Sequence, residues 1–275
     1  MRIQKMKILD INIQVRDKEF VRRVQVHHTK HGRHDLPWRK RITPYRILIS
    51  EIMLQQTQVS RVLPKYQAWM KAYPSLATLS LANFREVLVL WQGLGYQRRA
   101  KSLYELAKVV KKIPSSFEEL LKLPGIGPYT ASAIRAFGYD AFSKVPMLET
   151  NIRTALIEEF HQGEIDIHDG RLYDDLHRLE QCSRVKKLGA RTWYYALMDY
   201  GAYLKSQKIS HNTKSAHHMK QSAYKGSVRE LRAKILFAIT HTKDLPNDER
   251  VSEVMEKLMS EGYIVKYGKR LMIKS

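Results

Sequence analysis

One acidic side chain, Glu51, lies in a run of apolar and amide residues where a carboxyl group could do acid–base chemistry. The run extends from Ile49 to Val59, and helical spacing would align Glu51, Gln55 and Gln58 along one edge of a helix. Apolar residues flank the carboxyl group, so we expect desolvation to raise its pKa and to keep it protonated near neutral pH. Such a group can protonate a leaving group. The core face of this helix would be formed by Leu48, Ile52, Val59 and Val62.

The chain has a large excess of basic side chains. Lys and Arg number 48 against 27 Asp and Glu, which gives a formal net charge of +21 over 275 residues. Basic residues recur along the whole chain, so we expect a polyanionic partner. Nucleic acid is the usual partner of such a chain, although an anionic membrane or a solvated basic surface would also fit the charge alone.

Hydropathy and cysteine content argue against a membrane protein and against a disulfide-rich or Cys-rich metal-binding protein. At 44% hydrophobic residues the chain can bury a large core. It has no run of about 18 apolar residues and its charged start lacks the apolar segment of a signal peptide, so we expect no membrane association and a cytoplasmic, nucleoid-associated location. The one cysteine, Cys182, excludes an intrachain disulfide and a Cys-rich metal site.

Three segments must position these residues. Helical periodicity dominates from about Phe20 to Tyr203, which predicts an all-α main body. Residues 206–225 are rich in Ser, Lys, His, Asn and Gln and are interpreted as a basic linker. Residues 226–275 contain two helical patterns, Val228–Thr240 and Asp248–Ser260. A hairpin pattern follows, with strands predicted at Tyr263–Tyr267 and Arg270–Ile273 around a Gly268–Lys269 turn. Helices followed by a hairpin predict a small winged-helix-like α+β appendage.

A second motif, from Leu121 to Ala131, lies between two helical patterns and has the signature of a helix-hairpin-helix. Gly125 and Gly127 allow a tight turn with uncovered backbone N–H groups, and the second helix begins at the same point, so a phosphate could bind there. The carbonyl groups of Leu123 and Gly125 could also hold a monovalent cation. Taken alone, the motif fits a purely structural turn better than a phosphate site, since many helix pairs turn on glycine.

Together, five ordered motifs resemble the helix-hairpin-helix DNA glycosylase superfamily, and most closely its adenine glycosylase (MutY-like) branch. These motifs are Leu36–Arg39, Ser50–Val59, Trp91–Tyr96, Leu123–Thr130 and Ala196–Ala202.

The resemblance implies a two-lobed, all-α glycosylase domain over residues 1–205. One lobe of six helices would span about 45–140, and the second would combine the N-terminal segment with about 141–205. A double-stranded DNA with a mispaired or damaged base would lie between the lobes, with the target base flipped into a pocket. We expect the protein to act as a monomer.

The resemblance also assigns catalytic residues. Glu51 matches the family's catalytic acid, which protonates the adenine ring and weakens the glycosidic bond. Tyr129 matches a tyrosine beside the sugar. The lyase branch, which resembles endonuclease III, has at that place a lysine that attacks the sugar, so Tyr129 favours base removal without strand cleavage.

DNA-contacting positions follow in the same way. Gln55 and Gln56 match residues that fill or border the gap left in the duplex, and Tyr96 matches a side chain that wedges into the base stack. A packed aromatic beside a glycine turn is the alternative for Tyr96. The hairpin positions that would contact the DNA backbone are Leu123, Gly125, Gly127 and Thr130.

The sequence departs from the family at the second catalytic carboxylate, an aspartate in relatives that falls at Glu149 here. Glu149 keeps the charge and adds a methylene, so it could still stabilise a cationic sugar or position a water. A displacement of about 1 Å could cost roughly a hundredfold in rate. Alternatively, Glu149 caps the following helix or pairs with Arg153.

A second departure is the loss of the four cysteines that hold an iron–sulfur cluster in relatives, so we expect no cluster and no other cofactor. His211, His217 and His218 lack a carboxylate or cysteine partner that would complete a metal site, and we interpret them as solvated. Basic side chains could instead contact DNA phosphates in place of the cluster-supported loop. They are Lys205, Lys208, Lys214, Lys220 and Lys225.

The third departure concerns the C-terminus, where adenine glycosylases add a domain that recognises 8-oxoguanine; residues 226–275 are too few for it. They could be a second DNA grip, a protein-docking surface or a packing cap. We therefore expect a monofunctional glycosylase of base excision repair that acts on adenine opposite guanine or 8-oxoguanine. The alternatives are a uracil or thymine mismatch glycosylase and a damaged-DNA-binding protein with weak or no catalysis.

Overall fold

The structure, a computed structural model, describes residues 2–216, 223–268 and 270–274. Within these ranges the chain forms fourteen α-helices, one two-stranded antiparallel hairpin, a π-helical turn at Ile134–Gly138 and a 3-10 turn at Asn212–Lys214. The helices are α1 (Arg2–His31), α2 (Pro37–Lys40), α3 (Pro44–Leu54), α4 (Val59–Ala72), α5 (Leu76–Ser80), α6 (Phe84–Trp91), α7 (Arg98–Val109), α8 (Phe117–Leu121), α9 (Pro128–Ala133), α10 (Thr150–Phe160), α11 (Asp169–Glu180), α12 (Ser183–Ser206), α13 (Val228–His241) and α14 (Val251–Ser260), and the strands are β1 (Ile264–Tyr267) and β2 (Arg270–Ile273).

The predicted all-α body and α+β appendage are confirmed. In the appendage, α13 and α14 lie within two or three residues of the helical patterns, and Ile264 pairs with Ile273 at the open end of the hairpin. Lys269 of the predicted Gly268–Lys269 turn lies outside the described residues. None of the described helices is long and apolar enough to cross a membrane.

The chain divides into two compact units. The first comprises the described residues of Met1–Ile47, Pro114–Leu121 and Ile126–Met219, and the second those of Leu48–Ile113, Lys122–Gly125 and Lys220–Ser275.

The first unit is built around α12, which packs against α1 and α10. Helix α12 meets α10 closely at Gly201, where a Cβ atom would lie 2.0 Å from the carbonyl oxygen of Asn151, so only glycine fits. Phe20 of α1 packs edge-on against Phe160 and Tyr200, with ring centroids 5.3 and 6.2 Å away. These contacts form one core from helices far apart in the sequence.

Part of the segment predicted as a linker packs on this unit. Ser215 pairs with Ile167 in a short parallel bridge, and the backbone N–H of Ala216 donates to the carbonyl of Ile167 at 3.1 Å. Arg153 donates to the Ser215 hydroxyl at 3.1 Å. Residues 214–216 are thus held against α10 and against the loop at Ile167 that precedes α11. Residues 217–222 lie outside the described residues.

In the second unit, α6 packs against α4 at one end and against the C-terminal segment at the other. Trp91 packs edge-on against Trp69 of α4 at 5.7 Å. At the other end of α6, Phe84 contacts the ring of Tyr263, which is fully buried. Arg85 donates to the carbonyl of Thr240 at the end of α13 at 2.9 Å. The appendage is therefore anchored on α6.

A buried carboxyl group in the first unit should make stability depend on pH. Glu180 of α11 accepts a hydrogen bond from the hydroxyl of Tyr194, which in turn accepts from the backbone N–H of Met147. Burial raises the pKa of Glu180 to about 7, although the Tyr194 bond opposes this shift. The folded protein therefore keeps Glu180 protonated at pH values where the unfolded chain ionises it.

We expect Glu180→Gln to remove this dependence. Because the folded pKa is raised, the stabilisation that Glu180 contributes is full below about pH 4.5 and is lost as pH rises through about 7, a change of roughly 3 kcal/mol in the free energy of unfolding. Glutamine keeps an oxygen acceptor for Tyr194 and cannot ionise, so the variant should exceed the wild type in stability at pH 8. Urea unfolding at pH 5 and pH 8 measures this.

The matched control is Asp174→Asn, which removes an exposed carboxylate from the same helix. It should leave the pH dependence as in the wild type. A Glu180→Gln protein with the wild-type pH dependence would contradict a protonated Glu180.

Candidate active site

Glu51 is the fourth residue from the C-terminal end of α3 and is 5% exposed. It is the only acidic residue in this eleven-residue helix, whose sequence is mostly apolar. The side chain is thus buried, as the sequence pattern predicts. A carboxyl group in such a position can transfer a proton to a bound ligand without competition from bulk water.

The helix ends earlier than predicted. The predicted helix from Ile49 to Val59 is wrong, because α3 stops at Leu54 and α4 begins at Val59. Gln56 has a left-handed backbone (φ 52°), and the N–H of Thr57 donates to the carbonyl of Leu54 at 3.1 Å. Gln55, Gln56 and Gln58 therefore lie on a turn and not on a helix edge with Glu51.

Arg99 belongs to none of the five sequence motifs, and its guanidinium group terminates α3. Its Nη1 donates to the carbonyls of Ile52 at 2.8 Å and Gln55 at 2.6 Å, which are among the last acceptors of α3. Its Nη2 donates to the carbonyls of Leu94 at 2.8 Å and Gly95 at 3.1 Å. One guanidinium group thus joins the glutamine turn to the loop that carries Tyr96.

Arg99 is 7% exposed, and burial lowers its pKa to about 10, so it remains charged at neutral pH. The group also lies over the ring of Trp91, 5.4 Å from the centroid. A signal for it exists in the sequence: Arg99 shares the apolar face of α7 with Leu103 and Leu106, at helical spacing. An arginine on a buried face needs partners of this kind.

The loop before α7 places Tyr96 beside Gln56. Gly93 (φ 88°), Gly95 (φ 71°) and Tyr96 (φ 46°) all have left-handed backbone, which two glycines make accessible. The Tyr96 hydroxyl donates to the Gln56 side-chain oxygen at 2.8 Å. The structure therefore brings together two of the predicted DNA-contacting side chains.

The predicted hairpin forms a turn between α8 and α9. Leu123 is buried, whereas Gly125 and Gly127 are exposed, and Gly125 has a left-handed backbone (φ 75°). A Cβ atom on Gly125 would lie 2.5 Å from the Cβ of Ser102. The exposed backbone here can approach a ligand closely.

Tyr129 and Thr130 follow the hairpin in the first turn of α9. Tyr129 is half-buried and Thr130 is 3% exposed. Both belong to the first unit, as does Glu149.

Glu149 caps α10. Its Oε1 accepts from the backbone N–H groups of Asn151 at 2.8 Å and Ile152 at 3.0 Å, and its Oε2 accepts from the Asn151 amide at 3.1 Å. Lys205 lies near, donating to the Thr150 hydroxyl at 3.1 Å. The capping alternative is therefore present in the structure, while Arg153 pairs with Asp169. Capping fixes the carboxylate at the helix N-terminus and leaves a catalytic role open.

A buried ion network links two further motifs of the first unit. Asp199 is 3% exposed and accepts from His28 at 2.8 Å, Arg33 at 2.6 Å and Arg39 at 2.7 Å. Burial alone would raise the pKa of Asp199, but the His28 and Arg39 hydrogen bonds and the two arginine charges hold it well below its usual value. The network ties α12 to α1 and α2.

The residues of this chain do not fit an iron–sulfur cluster. The sequence holds one cysteine, Cys182, a half-buried residue before α12, and a cluster needs about four thiolates. Among the residues that the structure describes, no group of three His, Cys, Asp or Glu side chains could hold a metal ion. The interpretation of His211 as a solvated side chain without a carboxylate partner is wrong, because its ring is 15% exposed and pairs with the carboxylate of Glu158 in α10. His217, His218 and Lys220 lie outside the described residues.

Comparison with known proteins identifies the family of the chain. The family model of the HhH-GPD superfamily base excision DNA repair proteins matches residues 49–198, more than half of the chain and all of the predicted site residues. The segment is 45% identical to an adenine DNA glycosylase of Buchnera aphidicola subsp. Baizongia pistaciae over 134 residues, which is 47% of this chain and 38% of that protein. It is 44% identical to the adenine DNA glycosylase of Mycolicibacterium smegmatis over 137 residues, 48% of this chain and 46% of that protein. The match thus spans less than half of these relatives.

Two solved structures share the fold. A thermostable thymine-DNA glycosylase is similar with a TM-score of 0.59 and 24% identity, over 74% of this chain and 93% of that one. Endonuclease III in a non-covalent complex with DNA is similar with a TM-score of 0.53 and 16% identity, over 70% of this chain and 85% of that one. At these identities the likeness establishes the helix-hairpin-helix glycosylase fold.

Proposed function

Because the chain belongs to the HhH-GPD superfamily of base excision DNA repair proteins, we propose that it is a monofunctional DNA glycosylase. It hydrolyses the N-glycosidic bond of adenine mispaired with guanine or 8-oxoguanine. The observation that carries this proposal is the buried carboxyl group of Glu51, 5% exposed, within the segment 49–198 that matches the family model. The 44–45% identity to adenine DNA glycosylases over about half of the chain supports adenine as the base.

Glu51 is the proton donor in this proposal. It transfers its proton to a ring nitrogen of adenine, the glycosidic C–N bond breaks, and its electron pair leaves with the base. The sugar becomes an oxocarbenium-like cation, to which water adds with loss of a proton. Burial of Glu51 supports this role, because a carboxyl group shielded from bulk water can pass its proton directly to a base bound beside it.

Glu149 would stabilise the cationic sugar or position the attacking water. Its two oxygens are held by the start of α10, so the carboxylate is pre-oriented despite its additional methylene. Tyr129 would lie beside the sugar. Because this position carries no lysine, no Schiff base forms, and borohydride should trap no covalent adduct with abasic DNA.

The partner we propose is double-stranded DNA bound by a monomer. Gln55, Gln56 and Tyr96 would enter or border the gap left by the flipped base, and the hydrogen bond between Tyr96 and Gln56 supports insertion of these two side chains as one unit. The hairpin residues Leu123, Gly125, Gly127 and Thr130 would contact the DNA backbone, with a monovalent cation at the Leu123 and Gly125 carbonyls. The reaction needs no cofactor.

Replacing Glu149 separates its catalytic role from its capping role. Glu149→Gln keeps an oxygen acceptor for the N–H groups of Asn151 and Ile152, so α10 should stay capped. We expect base release to slow by about a hundredfold or more because the negative charge beside the sugar is lost. Single-turnover rates and melting temperatures measure the two effects.

Two further variants complete this series. Glu149→Asp should remain within roughly a hundredfold of the wild-type rate, since it keeps the charge but shifts it by about 1 Å. Glu158→Gln, in the same helix, is the control and should excise normally. If Glu149→Gln excised the base at the wild-type rate, Glu149 would serve only as a cap.

The proposed substrate is tested with four duplexes under single-turnover conditions. Purified protein is incubated in excess with adenine opposite 8-oxoguanine, adenine opposite guanine, uracil opposite guanine and thymine opposite guanine, and abasic sites are then cleaved with alkali. Release of adenine is expected. Release of a pyrimidine, or tight binding without release, would overturn the adenine assignment.

A further inference from the structure

A cavity of about 680 Å³ lies within the second unit, between the loop that carries Tyr96 and the C-terminal helix α13. Its volume is in the range of sites for small ligands or single nucleotides. Tyr96 and Gln56 line one side, and Arg229 and Phe237 of α13 line the other. The appendage therefore completes a cavity whose inner side is the proposed DNA-inserting pair.

Arg229 links the two sides. Its Nη1 donates to the Tyr96 hydroxyl at 2.7 Å, and that hydroxyl donates to the Gln56 oxygen at 2.8 Å. The guanidinium group also lies 5.5 Å from the centre of the Tyr96 ring. A chain of three hydrogen-bonded side chains thus fixes Tyr96 from the C-terminal segment.

The outer part of the cavity has aromatic and basic side chains that remain open to solvent. Phe237 is 42% and Tyr224 is 51% exposed. The His241 ring packs against the Phe237 ring with centroids 4.3 Å apart, and the Phe237 side chain remains partly open to solvent. Lys243 lies over the Phe237 ring at 5.3 Å, and Arg61 contributes a further positive charge. The lining includes one carboxylate, that of Asp244.

Exposed rings beside cations are the chemistry by which proteins hold unpaired nucleotides: the rings stack on the base and the cations neutralise phosphate. We propose that this cavity binds a nucleotide of the DNA strand opposite the excised base. Phe237 provides the stacking surface, Lys243 contacts phosphate, and Arg229 is a positioning residue that orients Tyr96 and Gln56. The inference rests on the proposed function, because that function places Tyr96 and Gln56 in the duplex.

The test uses binding alone and does not depend on base excision. Two duplexes carry a tetrahydrofuran abasic analogue; opposite it, one has 2-aminopurine and the other has a second tetrahydrofuran. Wild-type protein should bind the 2-aminopurine duplex about tenfold more tightly, since stacking on an aromatic ring is worth that much or more. The 2-aminopurine emission should fall on binding.

Three variants probe the cavity. Phe237→Ala should lose the preference and the quenching, whereas Phe237→Tyr should retain both. Lys243→Gln should weaken binding to both duplexes and lower the salt slope by about one. Arg232→Gln, which removes a charge from the other side of α13 where it pairs with Glu261, is the charge control and should leave binding unchanged.

Arg229 is tested through its coupling to Tyr96. In a double-mutant cycle, Arg229→Gln and Tyr96→Phe should each lower the preference for 2-aminopurine, and the double variant should lose little more than either. Retention of the full preference in Phe237→Ala would overturn the cavity proposal without affecting adenine excision. Conversely, a protein that shows the 2-aminopurine preference but releases no adenine would overturn the proposed function alone. The two failures are therefore distinguishable.

Discussion

Glu51→Gln should stop adenine release while leaving DNA binding intact. Glutamine has nearly the same shape and fits the buried position in α3, but it has no proton to transfer to the base. General acid catalysis is worth about 10²- to 10⁴-fold, so the single-turnover rate should fall by that factor. Rates on adenine opposite 8-oxoguanine, with affinity measured in parallel, give the result.

The matched control for this variant is Glu105→Gln, which removes a partly exposed carboxylate of α7 in the same unit. It should excise at close to the wild-type rate. If Glu51→Gln and Glu105→Gln excised equally fast, the proton would have to come from another group, and the mechanism proposed for Glu51 would be wrong.

The second large effect should come from Arg99→Ala. This change leaves the carbonyls of Ile52, Gln55 and Leu94 without the donor that now satisfies them, and each buried unsatisfied acceptor costs roughly 1–3 kcal/mol. We expect the free energy of unfolding to drop by about 3 kcal/mol or more. Because Arg99 also holds the Gln56 turn against the Tyr96 loop, DNA affinity should fall as well.

Arg98→Ala is the control for Arg99→Ala, because the side chain of Arg98 is exposed and its removal should change the free energy of unfolding by no more than about 0.5 kcal/mol. Arg99→Lys should be intermediate, since a lysine ammonium cannot span two loops as a planar guanidinium does. Urea unfolding of the three variants measures these changes in the free energy of unfolding. Equal stability of Arg99→Ala and Arg98→Ala would refute the positioning role of Arg99.

The features that depend on local sequence were predictable. Glu51 stands alone among apolar residues, so its burial follows from the pattern of α3. The C-terminal helices and hairpin follow from periodicity and from the glycine turn, and β1 and β2 begin or end within a residue of the predicted strands. Local patterns decide such elements because no distant partner has to be known.

The features that depend on distant partners were not predictable. The amide-rich stretch reads as helix through Val59, but α3 ends at Leu54 because Arg99, far along the chain, takes the last carbonyl groups. Likewise, the link from Arg229 to Tyr96 joins residues 133 positions apart, so no window of sequence contains it. Tertiary hydrogen bonds overrode the helical pattern in the first case and built a site in the second.

The most direct test of the central claim is chromatographic measurement of free adenine in a single-turnover reaction. Wild-type protein in excess over a duplex with adenine opposite 8-oxoguanine should release one adenine per duplex and leave the DNA strand intact until alkali is added. Bound duplex with no free adenine would contradict the assignment as an adenine glycosylase.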